Sequence, residues 1–189
     1  MEEKERIAGA QQGDMAAFEG LVREYQSRLV AFLWNLLGSG DDARDAAQES
    51  FVLAYARLGQ FDVSRSFRSW LFAIAYHHGI DLLRRKRRFR RFWLLEAAAA
   101  DRAAGDAPAA LDELPFWRPI LKRVTPQERA VLALKYSEDC GTGEIAVMLG
   151  CSESTVRVHL LNARRKLKCE LRAAGYVVRP VKQGSEEVP

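Results

Sequence analysis

The stretch Phe67–Phe92, FRSWLFAIAYHHGIDLLRRKRRFRRF, joins an apolar, ring-rich half to a strongly cationic half without a break. Seven of the eight residues from Arg84 to Arg91 are Arg or Lys. In the first half, apolar side chains recur at three- and four-residue steps, which predicts a helix that starts near Ser66. Surplus rings such as Tyr76, beside a cationic block, suit single-stranded nucleic acid, because rings accept unstacked bases while cations follow the backbone. The alternative for the rings alone is an ordinary aromatic core.

The same helix contains His77, His78 and Asp81, side-chain types that also occur in metal sites. His77 and Asp81 are four residues apart and could share one ion. No third ligand is near in the sequence, and the surrounding cations repel a metal, so we expect no metal. A metal-dependent nuclease built on these three residues remains a competing hypothesis.

Two helices are predicted ahead of this stretch, over about residues 14–37 and 42–58, with GSGDD between them. The second has an apolar stripe and, on a different side, Asp45, Gln48 and Glu49; Asp42 stands at its start. The helix dipole stabilises acidic residues at a helix N-terminus, but its effect falls off within one turn and does not account for Glu49. This face is either solvated surface or a docking site for a basic protein partner, and the residues alone leave both open.

A second helical unit is predicted after the Ala-rich stretch EAAAADRAAGDAPAALDE, which has the composition of a linker. Thr125 and Glu128 in TPQE match a capping box at the start of a helix. Further on, in EIAVMLGCSESTVRVHLLNARRKL, a short helix that ends at Gly150 is followed by a longer one that begins after Ser152. This is the spacing of a helix-turn-helix.

The longer helix has an inward apolar stripe and a second face that would enter a DNA major groove. That face carries Arg157, Val158, Leu161 and Asn162. Arg and Asn hydrogen-bond base edges, and Val or Leu contacts a thymine methyl. We expect phosphate contacts from the cations that follow, Arg164, Arg165, Lys166 and Lys168. The alternative is an αα-hairpin in a generic bundle with a solvated basic face.

Composition sets further limits on the kind of protein. The chain has 189 residues, is 48% hydrophobic and 29% charged, and has a net charge of +4. No apolar stretch reaches the roughly 18 residues that a membrane span needs, and MEEKERIAG lacks the apolar core of a secretory signal. We therefore expect a cytoplasmic protein with no stable membrane insertion. Cys140, Cys151 and Cys169 are widely spaced, so we expect reduced thiols, no metal and no cofactor.

Four blocks, in order, resemble the extracytoplasmic-function (ECF) group of bacterial sigma factors. The block FEGLVREYQSRLVAFLWNLLGSGDDARDAAQESFVLAYARL looks like the first part of sigma domain 2, and FRSWLFAIAYHHGIDLLRRKRR resembles its later part. The Ala-rich stretch fits the variable connection of the family. LKRVTPQERAVLALKYSEDCGTGEIAVMLGCSESTVRVHLLNARRKLKCEL resembles sigma domain 4.

The resemblance implies a function and a set of binding residues. Core RNA polymerase would be bound through Asp42, Asp45, Gln48 and Glu49. The minus-ten element, with a base flipped out, would be held by Asp62, Ser64, Tyr76, His77, Asp81, Arg84 and Arg85. The minus-thirty-five element would be read by Thr155, Arg157, Val158, Leu161, Asn162, Arg164 and Arg165. An anti-sigma factor is a further expected partner.

These patterns together predict an all-α protein of two small helical domains joined by a flexible linker. The expected divisions are sigma domain 2 at 14–92, a linker at 93–113, sigma domain 4 at 114–173 and a tail at 174–189. We expect a transcription initiation factor with no catalytic residues, which binds core RNA polymerase and promoter DNA and promotes strand opening. The competing hypothesis is a simple repressor or activator that uses only the helix-turn-helix.

Overall fold

The computed structural model describes residues 2–96 and 123–176, and of residues 90–96 it describes the backbone alone. In these ranges the chain forms α-helices, one short 3-10 helix and no strand, which confirms the all-α fold class. The helices are α1 (Glu3–Gln11), α2 (Met15–Leu37), α3 (Gly40–Arg57), α4 (Phe67–Glu96), α5 (Pro126–Tyr136), α6 (Thr142–Leu149) and α7 (Glu153–Ala173), with the 3-10 helix at Leu58–Gln60. Helix α4 continues into the predicted linker, and the rest of that linker lies outside the described residues, as does the tail after residue 176.

Helices α1 to α4 pack around one apolar core. Helix α2 begins where the sequence predicts, because the Asp14 carboxylate accepts hydrogen bonds from the backbone N–H groups of Ala16 and Ala17 at 2.9 and 3.2 Å. The stripes of α2 and α4 meet in the core, where Phe32 and Phe72 lie with their ring centroids 5.2 Å apart. Full burial of each such ring contributes about 1.5–3 kcal/mol.

Helix α1 is absent from the sequence interpretation, which starts the first domain at residue 14. Only Ile7 and Ala10 are buried in it. Two apolar contacts in nine residues make no recognisable stripe, so α1 owes its place to docking on α2 rather than to its own pattern. The predicted boundary therefore leaves out a helix that packs on this bundle.

A close approach of α2 and α4 requires a glycine at position 79. A Cβ on Gly79 would lie 2.5 Å from Leu36 Cδ2 and 3.2 Å from Leu33 Cδ2, both of them buried side chains. We expect Gly79→Ala to lower the free energy of unfolding by about 1–2 kcal/mol, because overpacking outweighs the better helix propensity of Ala. Urea unfolding measures this. Gly59→Ala, where a Cβ meets no atom within 4 Å, is the control, and an equal change in both variants would contradict the close approach.

Helices α5 to α7 form the second unit, and their ends follow the predicted signals. Thr125 and Glu128 make the capping box, with the Thr125 backbone N–H 2.8 Å from a Glu128 carboxylate oxygen. Gly150 ends α6 in the left-handed region at φ 64°, where a side chain would be strained. Ser152 caps α7 by accepting a 3.2 Å hydrogen bond from the Thr155 N–H. The predicted helix-turn-helix is therefore present as α6 and α7.

The two units pack against each other, which no local pattern predicts. Helices α5 and α6 lie on α2 and α4, and the buried apolar residues form one cluster that includes members of both units. Arg28 of α2 forms an ion pair with Glu138, whose side chain is 5% exposed. Arg68 of α4 donates to the Glu138 carbonyl at 2.9 Å and to the Glu144 carboxylate at 2.8 Å.

Arg129 of α5 joins the two units a second time, at the C-terminal end of α2. Its guanidinium donates to the backbone carbonyls of Asn35 at 2.5 Å, Leu36 at 2.9 Å and Val124 at 3.0 Å. The last carbonyls of a helix have no hydrogen-bond donor within the helix, and they carry the negative end of its dipole. A guanidinium at this end therefore supplies the missing donors and a favourable positive charge. Burial lowers the pKa of this guanidinium, but three carbonyl acceptors favour the charged form.

Candidate polymerase and nucleic-acid interface

The acidic face of α3 is exposed because the opposite side of the helix is buried. Its small apolar residues pack inside the bundle, and Asp45, Gln48 and Glu49 are left on the surface. Neither Asp45 nor Glu49 forms an ion pair within residues 2–96 or 123–176, whereas Asp42 is bound by Lys86 at 2.5 Å. One turn beyond Glu49, the side chain of Val52 is 63% exposed. The face thus offers free carboxylates beside an exposed apolar residue.

A groove of about 300 Å³ runs beside this face, between α2 and α3. Gln48 and Arg44 lie on its α3 side, and Val22, Gln26 and Val30 lie on its α2 side. The polar side chain of Gln48 therefore belongs both to the acidic face and to the groove.

The loop between the 3-10 helix and α4 presents two of the predicted minus-ten residues. Asp62 and Ser64 are both exposed, and the Asp62 carboxylate accepts a 2.9 Å hydrogen bond from the Ser64 N–H. Hydrogen bonds from Ser64 lower the pKa of the Asp62 carboxyl, so it is ionised at neutral pH. At the far end of the loop, Ser66 caps α4 by accepting from the Ser69 N–H at 3.2 Å.

A cleft of about 340 Å³ lies next to this loop, on the outer side of α3 and α4. Two predicted residues, His77 and Asp81, line it. Trp70 and Arg57 line it as well, and the sequence interpretation did not assign them to the site. Trp70 falls on the stripe that predicts the core, although its ring is only half-buried against Phe61. A flat ring, an imidazole and a guanidinium around one cleft can accept a planar base.

Tyr76 differs from the other predicted minus-ten residues because it is only 8% exposed. Burial raises the pKa of its phenol, and the Cys151 thiol lies close to it. His77, in edge contact with the Tyr76 ring, approaches Gly150 so closely that a Cβ there would lie 3.7 Å from the imidazole Cε1. In the docked arrangement Cys151 of the second unit therefore lies near Tyr76, and Gly150 lies near His77.

The cationic half of α4 forms an open basic surface. Arg84 and Arg85 border a depression of about 570 Å³ together with Asp81, Arg87 and Arg88. Arg84 makes a 3.3 Å ion pair with Asp81, and both side chains are more than half exposed. Exposed pairs of this kind contribute little to stability, so this pair holds Arg84 only weakly.

Helix α7 presents the predicted recognition face to solvent. Val158 is 54% and Leu161 is 67% exposed. The side chains of Thr155, Arg157, Arg164 and Arg165 are exposed as well, and Asn162 is half-buried. Arg157 bonds Glu153 one turn earlier at 2.7 Å, a surface pair that DNA can displace. An apolar pair among exposed arginines is unusual on a solvated helix but suits base edges that carry methyl groups.

Two contacts around α7 were not expected from the sequence. Arg164 donates to the Tyr136 hydroxyl at 2.8 Å, and Tyr136 is 61% exposed, so this ring stands beside the recognition face. Lys166 does not point to solvent as predicted for a phosphate contact, because it bonds the buried Glu128 carboxylate at 2.7 and 3.0 Å. Burial favours the neutral form of Glu128, but the hydrogen bonds from Lys166 and Thr125 outweigh it and hold the Glu128 pKa below its ordinary value.

His77, His78 and Asp81 are the residues that suggest a metal site, and Cys140 is a buried thiol of the second unit. In the described part of the chain, no three His, Cys, Asp or Glu residues are placed to hold a metal, so His77, His78 and Asp81 do not converge on one ion. Burial raises the pKa of the Cys140 thiol to about 11, which keeps it protonated at neutral pH. Among the described helices, none combines the length and hydropathy of a bilayer-crossing segment.

Comparison with known proteins places this arrangement in a family. The family described as Sigma-70 region 2 matches residues 21–89, and Sigma-70 region 4 matches residues 120–167. The chain is 31% identical over 176 residues to the ECF RNA polymerase sigma factor SigL of Mycobacterium tuberculosis, covering 90% of this chain and 97% of that protein. This chain belongs to the ECF sigma factors. It is also 29% identical over 183 residues to SigW of Bacillus subtilis, covering 89% of this sigma factor and 96% of SigW.

Solved structures resemble this sigma factor over most of its length. CnrH, in complex with the cytosolic domain of CnrY, has a TM-score of 0.69 at 27% identity, covering 90% of this chain and 97% of CnrH. The sigma factor RpoE of Bartonella quintana, in complex with the anti-sigma factor NepR, has a TM-score of 0.67 at 20% identity, which shows a shared fold. The two-domain helical architecture is therefore that of known sigma factors.

Proposed function

We propose that this protein is an alternative sigma factor that binds core RNA polymerase, directs it to specific promoters and promotes strand opening. The observation that carries the proposal is the combination, in one chain, of the acidic face of α3, the basic helix α4 and the helix-turn-helix α6–α7, within the two matched sigma regions. A simple regulator needs only the helix-turn-helix. The role proposed for each element is binding rather than chemistry, so the protein is not an enzyme.

The acidic face of α3 is the proposed site for core polymerase. Its unpaired carboxylates, Asp45 and Glu49, favour a basic partner, and Gln48 adds a hydrogen-bonding group at the adjoining groove. Asp42 is included from the family resemblance, and its bond to Lys86 has to open before it contacts a partner.

The loop at 62–66 and the outer cleft of α4 are the proposed site for the non-template strand of the minus-ten element. Cations follow the strand, from Arg84 and Arg85, and the cleft lined by Trp70 and His77 receives an extruded base. Extrusion costs a few kcal/mol, and the base contacts offset that cost only after the strands part. Binding energy is thus converted into strand opening.

Helix α7 is the proposed reader of the minus-thirty-five element. We expect Arg157→Ala to weaken binding to the cognate element by about 1–3 kcal/mol and to weaken binding to unrelated duplexes less, since a base contact discriminates between sequences. Fluorescence anisotropy with holoenzyme and labelled duplexes measures both affinities. Arg172→Ala, an exposed cation on the same helix, is the control. Equal weakening on every sequence would assign Arg157 to phosphate contact instead.

The docked arrangement supports a closed state that has to open on a promoter. Gly150 lies against His77, and seven residues of chain reach at most about 25 Å, so Arg157 is within roughly 30 Å of His77. The minus-ten and minus-thirty-five elements are about 25 base pairs apart by name, or roughly 85 Å at about 3.4 Å per pair. Residues 97–122 can span at most about 90 Å when extended, which is enough for the two units to separate.

An anti-sigma factor is the proposed regulator of this step, by analogy with RpoE, which has a similar fold and whose structure was solved in complex with the anti-sigma factor NepR. The working divisions of the chain are sigma domain 2 at 14–92, a connection at 93–113, sigma domain 4 at 114–173 and a tail at 174–189. The proposed location is the cytoplasm, where core polymerase and promoter DNA are found.

Run-off transcription tests the proposal directly. Purified protein is added to sigma-free core polymerase on a fragment library of its own genome, and the transcripts are sequenced. We expect start sites that share two upstream elements and that depend on the added protein. Polymerase-independent binding without new transcripts would favour the simple regulator, and DNA cleavage would favour the nuclease; either result would contradict the proposal.

A further inference from the structure

Helix α1 lies outside the matched sigma region, which begins at residue 21, yet it is firmly held on α2. Arg6 forms a 2.5 Å ion pair with Glu24, and the Tyr25 hydroxyl donates to the Glu3 carboxylate. Ile7, the residue after Arg6, is buried. Two polar contacts with neighbouring residues of α2 and this buried side chain hold α1 on the bundle.

The last residue of α1, Gln11, spans from this helix to the start of the minus-ten loop. Its amide nitrogen donates to the backbone carbonyl of Leu58 at 2.9 Å and to that of Phe61 at 2.8 Å. A side-chain amide nitrogen has two hydrogens, so both are used. The two acceptors lie at the start of the 3-10 helix and just after its end. Gln11 therefore holds this turn of chain from outside.

The turn that Gln11 holds leads directly into the loop at 62–66. On its inner side, the Phe61 ring packs on Trp70 with centroids 4.7 Å apart. The Phe61 N–H donates to the Leu58 carbonyl at 3.0 Å, which restrains the peptide before Phe61. The bond from Gln11 to the Phe61 carbonyl restrains the peptide after it, which also contains the N–H of Asp62, so this bond helps to set the direction in which the loop leaves the bundle.

We propose that Gln11 is a positioning residue for the capture of the minus-ten single strand. It acts through the peptide groups of Leu58 and Phe61, which orient the loop that carries Asp62 and Ser64, and it touches no DNA itself. The inference rests on the proposed sigma function and adds to it a helix that the matched region does not contain.

The test compares a variant of the same size that cannot donate with a larger variant that still can. Gln11→Glu turns the donor into an acceptor that faces two carbonyls, whereas Gln11→Arg keeps donors of sufficient reach. Gln12, the next residue, is exposed, so Gln12→Glu and Gln12→Arg carry the same charge changes without the contact. Circular dichroism melting sets a working temperature well below the unfolding of all four variants.

Each holoenzyme is then measured on a promoter found by the run-off experiment, in three forms. The probes are the duplex upstream element alone, the full duplex promoter, and a promoter with the minus-ten region mismatched so that it is already open. We expect Gln11→Glu to weaken binding to the mismatched promoter about tenfold relative to Gln12→Glu. We expect Gln11→Arg to stay within about threefold of Gln12→Arg, and binding to the upstream element to be unchanged throughout.

A positioning role predicts that Gln11→Glu loses affinity for the mismatched promoter alone, whereas a general loss of stability would weaken binding to every probe. If Gln11→Glu and Gln12→Glu bind the mismatched promoter equally, the inference is overturned. It is also overturned if Gln11→Glu loses affinity for the upstream element to the same degree. A wild-type protein that opens no promoter would overturn the proposed sigma function, and this inference with it. If the wild-type protein opens promoters and the Gln11 variants bind as their Gln12 controls do, only the inference is overturned.

Discussion

Replacing Asp45 and Glu49 by Arg is expected to abolish binding to core RNA polymerase while the fold survives. Both side chains are exposed, and neither forms an ion pair in the described part of the chain, so the substitutions remove no internal contact. At a basic partner surface, each changes an attraction into a repulsion. Disruption of a charge pair buried in an interface costs about 2–5 kcal/mol, so a loss of more than about 100-fold is expected for the two together.

Labelled protein titrated with core polymerase measures this affinity, and thermal melting checks the fold. The matched control for the single variant Glu49→Arg is Glu153→Arg, which makes the same charge change at a side chain that is 49% exposed on α7. An unchanged affinity in the double variant would show that polymerase docks elsewhere. If Glu49→Arg and Glu153→Arg lose polymerase affinity equally, the loss comes from the change in net charge and not from the acidic face.

Replacing Glu138 by Arg is expected to open the protein by separating its two helical units. Glu138 is almost fully buried in the docked arrangement and faces Arg28, whose side chain is 39% exposed. The substitution puts two guanidinium groups together in a space with little water. Since Arg28 remains partly solvated, the repulsion is screened, and we expect the docked state to lose about 1–3 kcal/mol, a shift of about 5- to 150-fold in the docking equilibrium.

Small-angle X-ray scattering measures the separation. A compact chain of this length has a radius of gyration of about 16 Å, and separated units raise it by several ångströms. Glu153→Arg is again the matched control, because it breaks an exposed pair on α7 and leaves the interface intact. If Glu138→Arg scatters like the control, then the ion pair with Arg28 does not hold the closed state, and Arg129 and the apolar contacts carry it instead.

The helix ends and the helix-turn-helix could be predicted because their signals are local. Asp14, Thr125 and Ser152 each accept a backbone hydrogen bond from a residue two or three positions on. Such contacts need no information from the rest of the chain. The exposure of Asp45, Glu49, Val158 and Leu161 follows as well, since it depends only on which side of a helix is apolar.

The composition of the cleft beside α4 could be predicted only in part. The family resemblance predicts His77 and Asp81 for the minus-ten site, and both line this cleft, but Trp70 and Arg57 come into it from a core stripe and from the end of another helix. Periodicity tells on which face a residue lies, not how deeply that face is covered. Trp70 is half-buried although its ring lies near those of Phe61 and Phe67, with centroids 4.7 and 5.7 Å away.

Short-range sequence patterns determine the order of the helices, their caps and whether each exposed face is acidic or basic. For this protein those patterns were sufficient to determine the fold class and the family. Tertiary structure alone decided that Glu138 meets Arg28 and that Gln11 meets Leu58, contacts separated by 110 and 47 residues. It also decided that Tyr76 is buried and that Cys151 of the second unit lies near it. The reason is that hydrogen bonds and ion pairs between distant segments depend on the geometry in which whole helices pack. A single residue that makes such a contact does not repeat at a regular spacing, so no sequence pattern reveals it.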